Sequence, residues 1–292
     1  MKINYDGARA YVSQINRKQQ QKLKSVLSYT DQNAVMRNRF GKGAPLSEQV
    51  SCLDPKTYSF PTGLLPLVLE KFGDEVESIE SSLEELSPSK PIFPDWAWDH
   101  QKKLVDFALN NRRCIGQSPT GSGKTATIAF FLSAFPNSNC LIIVPRNGIL
   151  RKTKKDVKDH LQEEIGEYSG QEKNPKRVTI ATINSLYQKV SEHDWLKEID
   201  VLVIDECHNI SKGMYLSVSN AIPNRVYSWG LSATPYRQQG DEFWMFGICG
   251  WYKKVITEQE LIEKGIIQKP IYCIVDFDHP IYEGKKNANV SL

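Results

Sequence analysis

Short apolar runs recur through the second half of the chain, and stretches with helical spacing separate them. These runs are Cys114-Ile115, Leu141 to Val144, Val178 to Ile180, Val201 to Ile204 and Val226 to Leu231. Continuous Val, Ile and Leu strands that alternate with helices are typical of a parallel sheet covered by helices on both faces. The pattern therefore predicts an α/β domain from about residue 100 onwards.

Residues 1–80 have a different pattern, which predicts a small α+β domain. Apolar positions from Gln14 to Leu27 lie near one helical face, and Pro66 to Phe72 predicts a second helix. Ser87-Pro88-Ser89-Lys90-Pro91 is rich in residues that interrupt regular structure and predicts a linker. We therefore assign residues 1–88 to a basic nucleic-acid-binding domain and residues 89–269 to the α/β domain. Residues 270–292 would begin the connection to a further domain, with a strand from Lys269 to Phe277.

Apolar and polar residues alternate from Val35 to Phe40, and this alternation predicts a strand. Met36 and Phe40 would share one face of that strand, and Arg37 and Arg39 would share the other. Gly41-Lys42-Gly43-Ala44-Pro45 predicts a turn immediately after it.

Charge is unevenly distributed, although the net charge of the chain is only +3 at pH 7. Residues 1–44 contain nine Lys and Arg against two Asp, whereas residues 74–99 contain eight acidic residues against one Lys. A basic segment followed by an acidic connector indicates a nucleic-acid surface and a spacer. The candidate phosphate contacts are Lys18 and Lys22, one helical turn apart, with Arg37 and Arg39. A basic face that is merely solvated is the alternative.

Composition excludes several other classes of protein. Hydrophobic residues make up 40% and charged residues 24% of the chain, which is ordinary soluble composition. No apolar run approaches the ~18 residues of a membrane span, and the first residues do not resemble a signal peptide. We expect a cytoplasmic protein, in the host cytoplasm if a phage encodes it, and no membrane partner. The six cysteines are scattered singly, which favours free thiols over disulfides or a zinc site.

A phosphate-binding loop is predicted where an apolar strand meets an apolar helix. The segment is Ser118-Pro119-Thr120-Gly121-Ser122-Gly123-Lys124-Thr125. Its glycines let backbone N–H groups turn toward phosphate oxygens, and the following helix adds the positive end of its dipole. Lys124 would reach the β- and γ-phosphates of ATP, and the hydroxyl of Thr125 would ligate Mg²⁺. Ser118 stands where the strict pattern has glycine.

An acidic pair supplies the second half of the predicted site. Asp205 and Glu206 directly follow the apolar run that ends at Ile204. A carboxylate at the carboxyl end of such a strand lies in the crevice where parallel sheets bind ligands. Asp205 would hold Mg²⁺ through water, and Glu206 would orient and deprotonate the attacking water.

The order of these and other motifs resembles superfamily 2 helicases over residues 98–235. Trp98-Asp99-His100-Gln101 resembles the glutamine motif, in which Gln101 would read adenine. The later segments resemble motifs Ia, Ib, II and III: Ile143 to Asn147, Ala181 to Asn184, Asp205-Glu206-Cys207-His208 and Leu231-Ser232-Ala233-Thr234-Pro235. The resemblance implies a RecA-like P-loop NTPase lobe. It also implies nucleic-acid contacts at Pro145, Arg146 and Thr182, and coupling of hydrolysis to movement through His208, Ser232 and Thr234.

Within this superfamily, the sequence is similar to UvsW-type phage recombination helicases. These have a small basic domain before the motor and the same Asp-Glu-Cys-His motif. Arg37-Asn38-Arg39-Phe40 and Phe60 to Leu65 are similar to segments of that basic domain. The resemblance implies an ATP-dependent DNA helicase that remodels branched or forked DNA in recombination, repair or replication.

Three alternative functions have less support from the residues. An RNA helicase of the same superfamily is disfavoured because motif II has Cys-His where that group has Ala-Asp. A non-catalytic nucleic-acid-binding module with a relic nucleotide site is disfavoured because Lys124, Thr125, Asp205 and Glu206 are all present. A restriction-enzyme motor is disfavoured because no carboxylate-lysine nuclease cluster is recognisable in the sequence.

The sequence after Leu231 lacks one feature of a complete motor of this superfamily. Such motors have a second RecA-like lobe that supplies arginines to the phosphate, and only Arg237 follows Leu231 here. We therefore expect a second lobe in a longer protein. Phe243 to Phe246 could be a strand-separating wedge, but we favour core packing because large apolar clusters are usually buried.

Overall fold

Two sheets organise the part of the chain that the computed structural model describes, namely residues 1–41, 44–210, 213–235 and 241–269. The N-terminal elements are β1 (Lys2–Tyr5), β2 (Arg9–Ser13), α1 (Arg17–Val26), β3 (Ser28–Thr30), α2 (Gln32–Phe40), β4 (Gln49–Ser51), β5 (Ser59–Pro61), α3 (Leu65–Phe72) and β6 (Ser78–Ser81). They form a four-stranded sheet in the order β5-β2-β1-β6 and a separate β3-β4 pair.

The remaining elements form the larger α/β body. Its strands are β7 (Arg113–Gln117), β8 (Cys140–Val144), β9 (Gly166–Tyr168), β10 (Lys173–Asn174), β11 (Val178–Thr182), β12 (Val201–Asp205), β13 (Tyr227–Ser232) and β14 (Tyr252–Lys254). Its helices are α4 (Asp99–Asn111), α5 (Lys124–Leu132), α6 (Asn147–Leu161), α7 (Ile183–Tyr187), α8 (Met214–Asn220), α9 (Glu242–Cys249) and α10 (Glu258–Glu263). Short 3-10 turns connect several of these elements.

The large sheet has the strand order β10-β9-β11-β8-β12-β13-β7-β14, and all its pairings are parallel except that of β10 with β9. Every residue of β8, β11, β12 and β13 is buried, as expected for strands covered on both faces. The five apolar runs that predicted strands all lie in this sheet. The predicted α/β fold with a parallel sheet is therefore confirmed.

The predicted strand from Val35 to Phe40 is wrong, because this segment belongs to helix α2. Asp31 caps the helix: its carboxylate accepts hydrogen bonds from the backbone N–H groups of Asn33 and Ala34, at 2.9 and 3.3 Å. Ala34 is the one buried residue of α2. The alternating apolar side chains from Val35 to Phe40 are therefore not the buried face of a strand. Residues two apart on a helix point in different directions, and Arg37 and Arg39 therefore share no face.

The structure agrees with the two helices and the linker predicted in the N-terminal part. The helix predicted from Gln14 to Leu27 is α1, which starts at Arg17 because Asn16 and Gln19 form a capping box. The helix predicted from Pro66 to Phe72 is α3. The segment predicted as a linker, Ser87 to Pro91, contains no helix or strand. Two residues of the predicted turn, Lys42 and Gly43, lie outside the described residues, as do residues 270–277 of the last predicted strand.

The five cysteines in the described ranges, Cys52, Cys114, Cys140, Cys207 and Cys249, are all buried. Cys114, Cys140, Cys207 and Cys249 are free thiols, in agreement with the expectation for them. Across the same ranges, no helix is long and apolar enough to cross a membrane.

Helix α9 joins the two sheets into one packed body. Trp244, Met245 and Phe246 are buried, so core packing of this aromatic cluster is confirmed. They share a core with Phe60 and Leu64 from the N-terminal elements. The indole N–H of Trp244 also donates a 2.9 Å hydrogen bond to the hydroxyl of Tyr29. The small basic domain is therefore fixed against the α/β body.

Two glycines allow the backbones of the two parts to approach closely. The N–H of Gly7 donates to the carbonyl of Pro223 at 2.6 Å. A Cβ atom at Gly63 would lie 2.6 Å from the carbonyl oxygen of Gly247, and closer still to that of Phe246. Since both obstacles are backbone atoms, a larger residue at position 63 would push α9 away from the N-terminal sheet.

We predict that Gly63→Ala lowers the free energy of unfolding by ~1–3 kcal/mol, the usual cost of overpacking a core. Chemical denaturation monitored by tryptophan fluorescence measures this change. Gly148→Ala is the matched control, because nothing lies within 4 Å of its added Cβ. Equal stability of the two variants would contradict the close approach at Gly63.

Candidate active site

Three neighbouring strands bring the predicted catalytic segments to one edge of the sheet. The order β12-β13-β7 places the carboxyl ends of these strands side by side, with Asp205 opposite Leu231 and Ser232 opposite Gln117. Motif II, motif III and the P-loop leave the sheet from these three ends. The N–H of Ser118 donates to the carbonyl of Ser232 at 3.0 Å, which ties the P-loop to motif III.

The P-loop conformation depends on its glycines and on a pair of hydroxyl groups. Gly121 and Gly123 have φ values of 82° and 77°, a left-handed conformation that suits glycine. Ser118 and Ser122 are buried and bonded to each other through their hydroxyls, and the Ser122 hydroxyl also lies 2.7 Å from the carbonyl of Pro119. Ser118, the departure from the strict pattern, therefore closes the loop with a hydrogen bond that glycine cannot make. Thr120 is exposed beside it.

Lys124 begins helix α5 and points into the loop. Its Nζ lies 3.4 Å from the carbonyl oxygens of both Ser118 and Pro119, and 3.8 Å from a carboxylate oxygen of Glu206. These are long contacts, so no strong partner holds the ammonium group. An anionic phosphate can replace them at little cost.

The two motif II carboxylates have different electrostatic environments. Burial and then the charge of Glu206 raise the pKa of Asp205, and Lys124 opposes this shift. The hydrogen bond from His208 holds the pKa of Glu206 below its usual range, and Lys124 acts in the same direction. Glu206 is therefore ionised at neutral pH, whereas Asp205 gains most from an added cation nearby.

Motifs II and III are in direct contact through His208. Its Nδ1 lies 3.0 Å from the hydroxyl of Ser232 and 3.2 Å from a carboxylate oxygen of Glu206. The Ser232 hydroxyl also accepts the N–H of Thr234 at 3.1 Å. The side chains of Glu206, His208 and Ser232 thus form a chain from the predicted base to motif III. Thr234 joins it through its backbone.

The glutamine motif supports the P-loop from outside. The side-chain amide of Gln101 donates to the carbonyl of Gly123 at 3.1 Å and accepts from the N–H of Trp98 at 3.0 Å. His100, which sequence reasoning gave no role, is buried, and its Nε2 lies 2.9 Å from the carbonyl of Ser122. The exposed indole of Trp98 stacks on the His100 ring at 5.4 Å. Its position directly before Gln101 was the one available sequence signal for His100.

The donor set at this edge fits a nucleotide-bound Mg²⁺. One Asp205 oxygen accepts the N–H of Glu206 at 3.0 Å, which leaves the other oxygen available at a carboxylate whose pKa burial raises. Thr125 follows Lys124 in the first turn of α5 and is partly exposed. No group of three or more His, Cys, Asp or Glu suited to a metal occurs in the described ranges. Mg²⁺ at this site would therefore depend on phosphate and water oxygens as well, as is usual for this ion.

The nucleic-acid residues implied by the motifs lie on the adjoining part of the same edge. Pro145 and Arg146 follow β8, and Thr182 ends β11, opposite Val144. Arg146 is exposed, but Thr182 is buried and its hydroxyl donates to that of Ser185 at 2.9 Å. Pro145, Arg146 and Thr182 remain candidate nucleic-acid contacts. Of these three residues, Arg146 has the exposed positive charge.

The four N-terminal cations are not equivalent. Lys18, Arg37 and Arg39 are exposed on α1 and α2. Lys22 instead pairs with Glu75 at 2.6 Å and lies over the ring of Phe72, 4.4 Å from its centroid. Lys22 is therefore already engaged within its own domain.

A P-loop after β7, an acidic pair after β12 and a motif III contact after the intervening strand β13 define a RecA-like lobe of superfamily 2. The family model described as "Type III restriction enzyme, res subunit" matches residues 76–237, just over half of the chain. The chain belongs to this family.

Individual relatives are DNA helicases and translocases. The chain is 27% identical to the ATP-dependent DNA helicase uvsW of Enterobacteria phage T4 over 197 residues, covering 63% of this chain and 38% of that protein. It is 30% identical to the DNA 3'-5' translocase XPB2 of Sulfurisphaera tokodaii over 190 residues, covering 64% of this chain and 42% of that protein. The chain therefore matches less than half the length of either relative.

Solved structures share the fold of this chain over more than the residues matched by the family model. The crystal structure of the UvsW helicase from bacteriophage T4 superposes with a TM-score of 0.69 at 19% identity, covering 87% of this chain and 99% of that one. A second T4 UvsW structure gives a TM-score of 0.70, covering 88% of this chain and 57% of that one. Since the coverage extends beyond residues 76–237, the likeness of fold includes N-terminal elements.

We predict that Glu206→Gln retains MgATP binding but hydrolyses ATP at a rate lower by ~10²-fold or more, because the amide keeps the shape and loses the base. In a protein that also contains the expected second lobe, binding of a fluorescent ATP analogue measures the first step and phosphate release measures the second. Lys124→Ala is the contrasting variant, expected to lose binding as well. If Glu206→Gln loses binding as severely as Lys124→Ala, Glu206 is a structural residue or a direct metal ligand.

Proposed function

We propose that this chain is the ATP-hydrolysing part of a DNA helicase or translocase that remodels branched or forked DNA. The observation that carries the proposal is the contact between Glu206, His208 and Ser232, beside Lys124 and Asp205. A relic nucleotide site has no need for this alignment. The relatives named as DNA helicases and a DNA translocase favour DNA over RNA.

In the proposed mechanism, the P-loop and Lys124 bind the phosphates of ATP. Lys124 exchanges its long contacts with loop carbonyls for phosphate oxygens, which neutralises charge in a cleft with little water. Thr125 and Asp205 would hold Mg²⁺, which would supply charge neutralisation to the phosphates when bound. Glu206, kept ionised by His208, accepts the proton of the attacking water.

Coupling of ATP hydrolysis to movement on DNA would depend on the contacts of His208 and Ser232. The Nδ1 atom of His208 contacts both Glu206 and Ser232, so a change of charge at the base alters the His208–Ser232 contact. The backbone oxygen of Ser232 also accepts the N–H of Ser118, at the start of the P-loop. The nucleotide state can therefore affect motif III by two routes.

DNA would cross the edge formed by Pro145, Arg146 and Thr182 and reach the basic N-terminal domain. Arg146 is the exposed cation at the start of α6, beside the strand that pairs with β12. The fixed packing of the N-terminal domain through α9 would keep the two DNA surfaces at a constant separation.

The arginines that assist phosphate transfer would come from a second RecA-like lobe outside these residues. The chain matches only 38–42% of the length of the two relatives above, which leaves room for such a lobe. Arginine fingers contribute ~10³–10⁵ in rate in related P-loop enzymes. We therefore propose that residues 1–292 bind MgATP, hydrolyse it very slowly and do not unwind DNA alone.

ATP hydrolysis by a protein containing these residues and the second lobe tests the proposed function. Turnover should rise in the presence of single-stranded, duplex or forked DNA, with forked DNA the best cofactor, and RNA should have little effect. The 292-residue chain is the comparison and should show little stimulation. Stimulation by RNA alone would favour an RNA helicase, and robust unwinding by the 292-residue chain would contradict the two-lobe mechanism.

We further predict that replacing Lys18, Arg37 and Arg39 by Ala weakens DNA binding and flattens its salt dependence. The slope of log K against log salt is negative for duplex DNA, and each phosphate that the protein no longer neutralises makes it less steep by ~0.9. Lys22→Ala is the control, because its ammonium is already paired with Glu75 and should change the slope less. A slope that the triple substitution leaves unchanged would mean that the basic face is only solvated.

A further inference from the structure

A large cleft lies at the opposite end of β7 from the P-loop. Its volume is about 640 Å³, within the ordinary range for ligand sites. It opens between the N-terminal elements, which contribute Tyr5 and Leu65 among others, and the segment around β14. Arg113, the first residue of β7, lines it, whereas the P-loop follows Gln117, the last. The cleft is therefore separate from the nucleotide site.

Aromatic rings form one side of the cleft. Trp251 and Tyr252 are 40% and 37% exposed, large fractions for such side chains. Both rings lie nearly parallel to that of buried Phe246, at angles of 29° and 20° and centroid distances of 4.7 and 6.3 Å. Because Phe246 is packed in the core, this cluster is a preformed stacking platform rather than a pair of mobile side chains.

The charge of the cleft is entirely positive. Its charged lining residues are Arg112, Arg113 and Lys253, and no acidic residue lines it among those described. Arg112 and Lys253 are exposed at the rim, and Lys253 lies 5.2 Å from the centre of the Phe107 ring. Asp6, whose charge acts on Arg113, accepts the backbone N–H groups of Ala8 and Arg9 and does not line the cleft.

Arg113 is a partly buried cation in the wall of the cleft. Its Nη2 donates to the carbonyl of Arg225 at 3.2 Å, but its Nη1 is buried with no hydrogen-bond partner in the described part of the chain. Burial lowers the pKa of Arg113 to about 10, so the group stays charged at neutral pH. The charge of Arg113 therefore adds to the positive potential at this end of β7.

We propose that this cleft binds an unpaired nucleotide of a DNA strand, with its base on the Trp251–Tyr252 platform and its phosphate among Arg112, Arg113 and Lys253. Aromatic stacking combined with a positive groove is the chemistry by which proteins hold single strands regardless of sequence. An apolar peptide would leave the positive charges of Arg112 and Lys253 without an anionic partner. The exposed cations at the rim can meet successive phosphates, which favours a strand over a free mononucleotide.

The proposal extends the proposed function and is tested separately from it. A DNA strand bound in this cleft would lie at the opposite end of β7 from the ATP site. The cleft would therefore be a second DNA-binding site, and ATP hydrolysis would not require it. Binding is therefore measured without ATP, in the unchanged chain and in variants at the cleft. Failure of hydrolysis would count against the proposed function alone, and failure of binding at the cleft against this inference alone.

The experiment uses an oligothymidylate of about eight nucleotides, within the site size of single-strand binders, that carries photoreactive 5-iododeoxyuridine. Irradiation with the 292-residue chain, followed by peptide mass spectrometry, locates the crosslink. We expect it within residues 250–254. Excess thymidine monophosphate should compete poorly; strong competition would identify a mononucleotide site and overturn the assignment to a strand.

Variants at the cleft give the second readout. Trp251→Ala should weaken oligonucleotide binding roughly tenfold, the scale of one base stack, whereas Trp251→Phe keeps a ring against Phe246 and should retain most of it. Lys253→Ala should reduce the salt slope by ~0.7, the value for one phosphate of a single strand. Trp96→Ala and Lys103→Ala are the matched controls at exposed positions elsewhere. Crosslinks confined to other peptides, or equal binding by Trp251→Ala and Trp96→Ala, would overturn the proposal.

Discussion

Parallel pairing of β7, β13 and β12 is the constraint on which the nucleotide site depends. The register aligns the ends of the three strands, so that Ser118, Asp205 and Ser232 emerge at one edge of the sheet. None of these residues is near another in sequence. A shift of one residue in either pairing would turn the side chains of a strand to the other face and separate the P-loop from motif II. The buried apolar residues of these strands therefore determine the geometry of the chemistry.

The site itself keeps its charged groups only weakly paired. Lys124 makes contacts of 3.4 and 3.8 Å, and the pKa of Asp205 is raised by burial and then by the charge of Glu206. Strong internal ion pairs would compete with phosphate and metal. The shorter contacts are instead made by supporting residues: Ser118 with Ser122, His100 with Ser122, and His208 with Ser232. Rigidity thus comes from hydrogen bonds made by the supporting residues around Lys124 and Asp205, and the charges of these two groups remain available for the ligand.

Sequence reasoning could predict whatever depends on local pattern. Buried parallel strands are continuously apolar, and the P-loop needs Gly121 and Gly123 in order, so the sheet and the two catalytic motifs were predictable. Helix α2 was not predicted. The alternation of apolar and polar residues suggested a strand, but none of these side chains is buried on a sheet, and the cap at Asp31 favours a helix. The roles of His100 and Arg113 depend on contacts with residues that are distant in sequence, at Ser122 and Arg225. The cleft at β14 was also unpredictable, since no single segment contains it.

The packing of α9 connects the N-terminal domain to motif II through consecutive contacts. Gly63 is held against the carbonyls of Phe246 and Gly247, near the end of α9. A Cβ atom at Gly230, on β13, would meet the sulfurs of both Cys249 and Cys207 at 3.0 Å. Cys207 directly follows Glu206, the predicted base. Each large apolar side chain that α9 buries contributes ~1.5–3 kcal/mol, so the helix is not easily displaced. Because every step is backbone or buried side chain, a force on the N-terminal domain reaches β13 and motif II with little local rearrangement to absorb it.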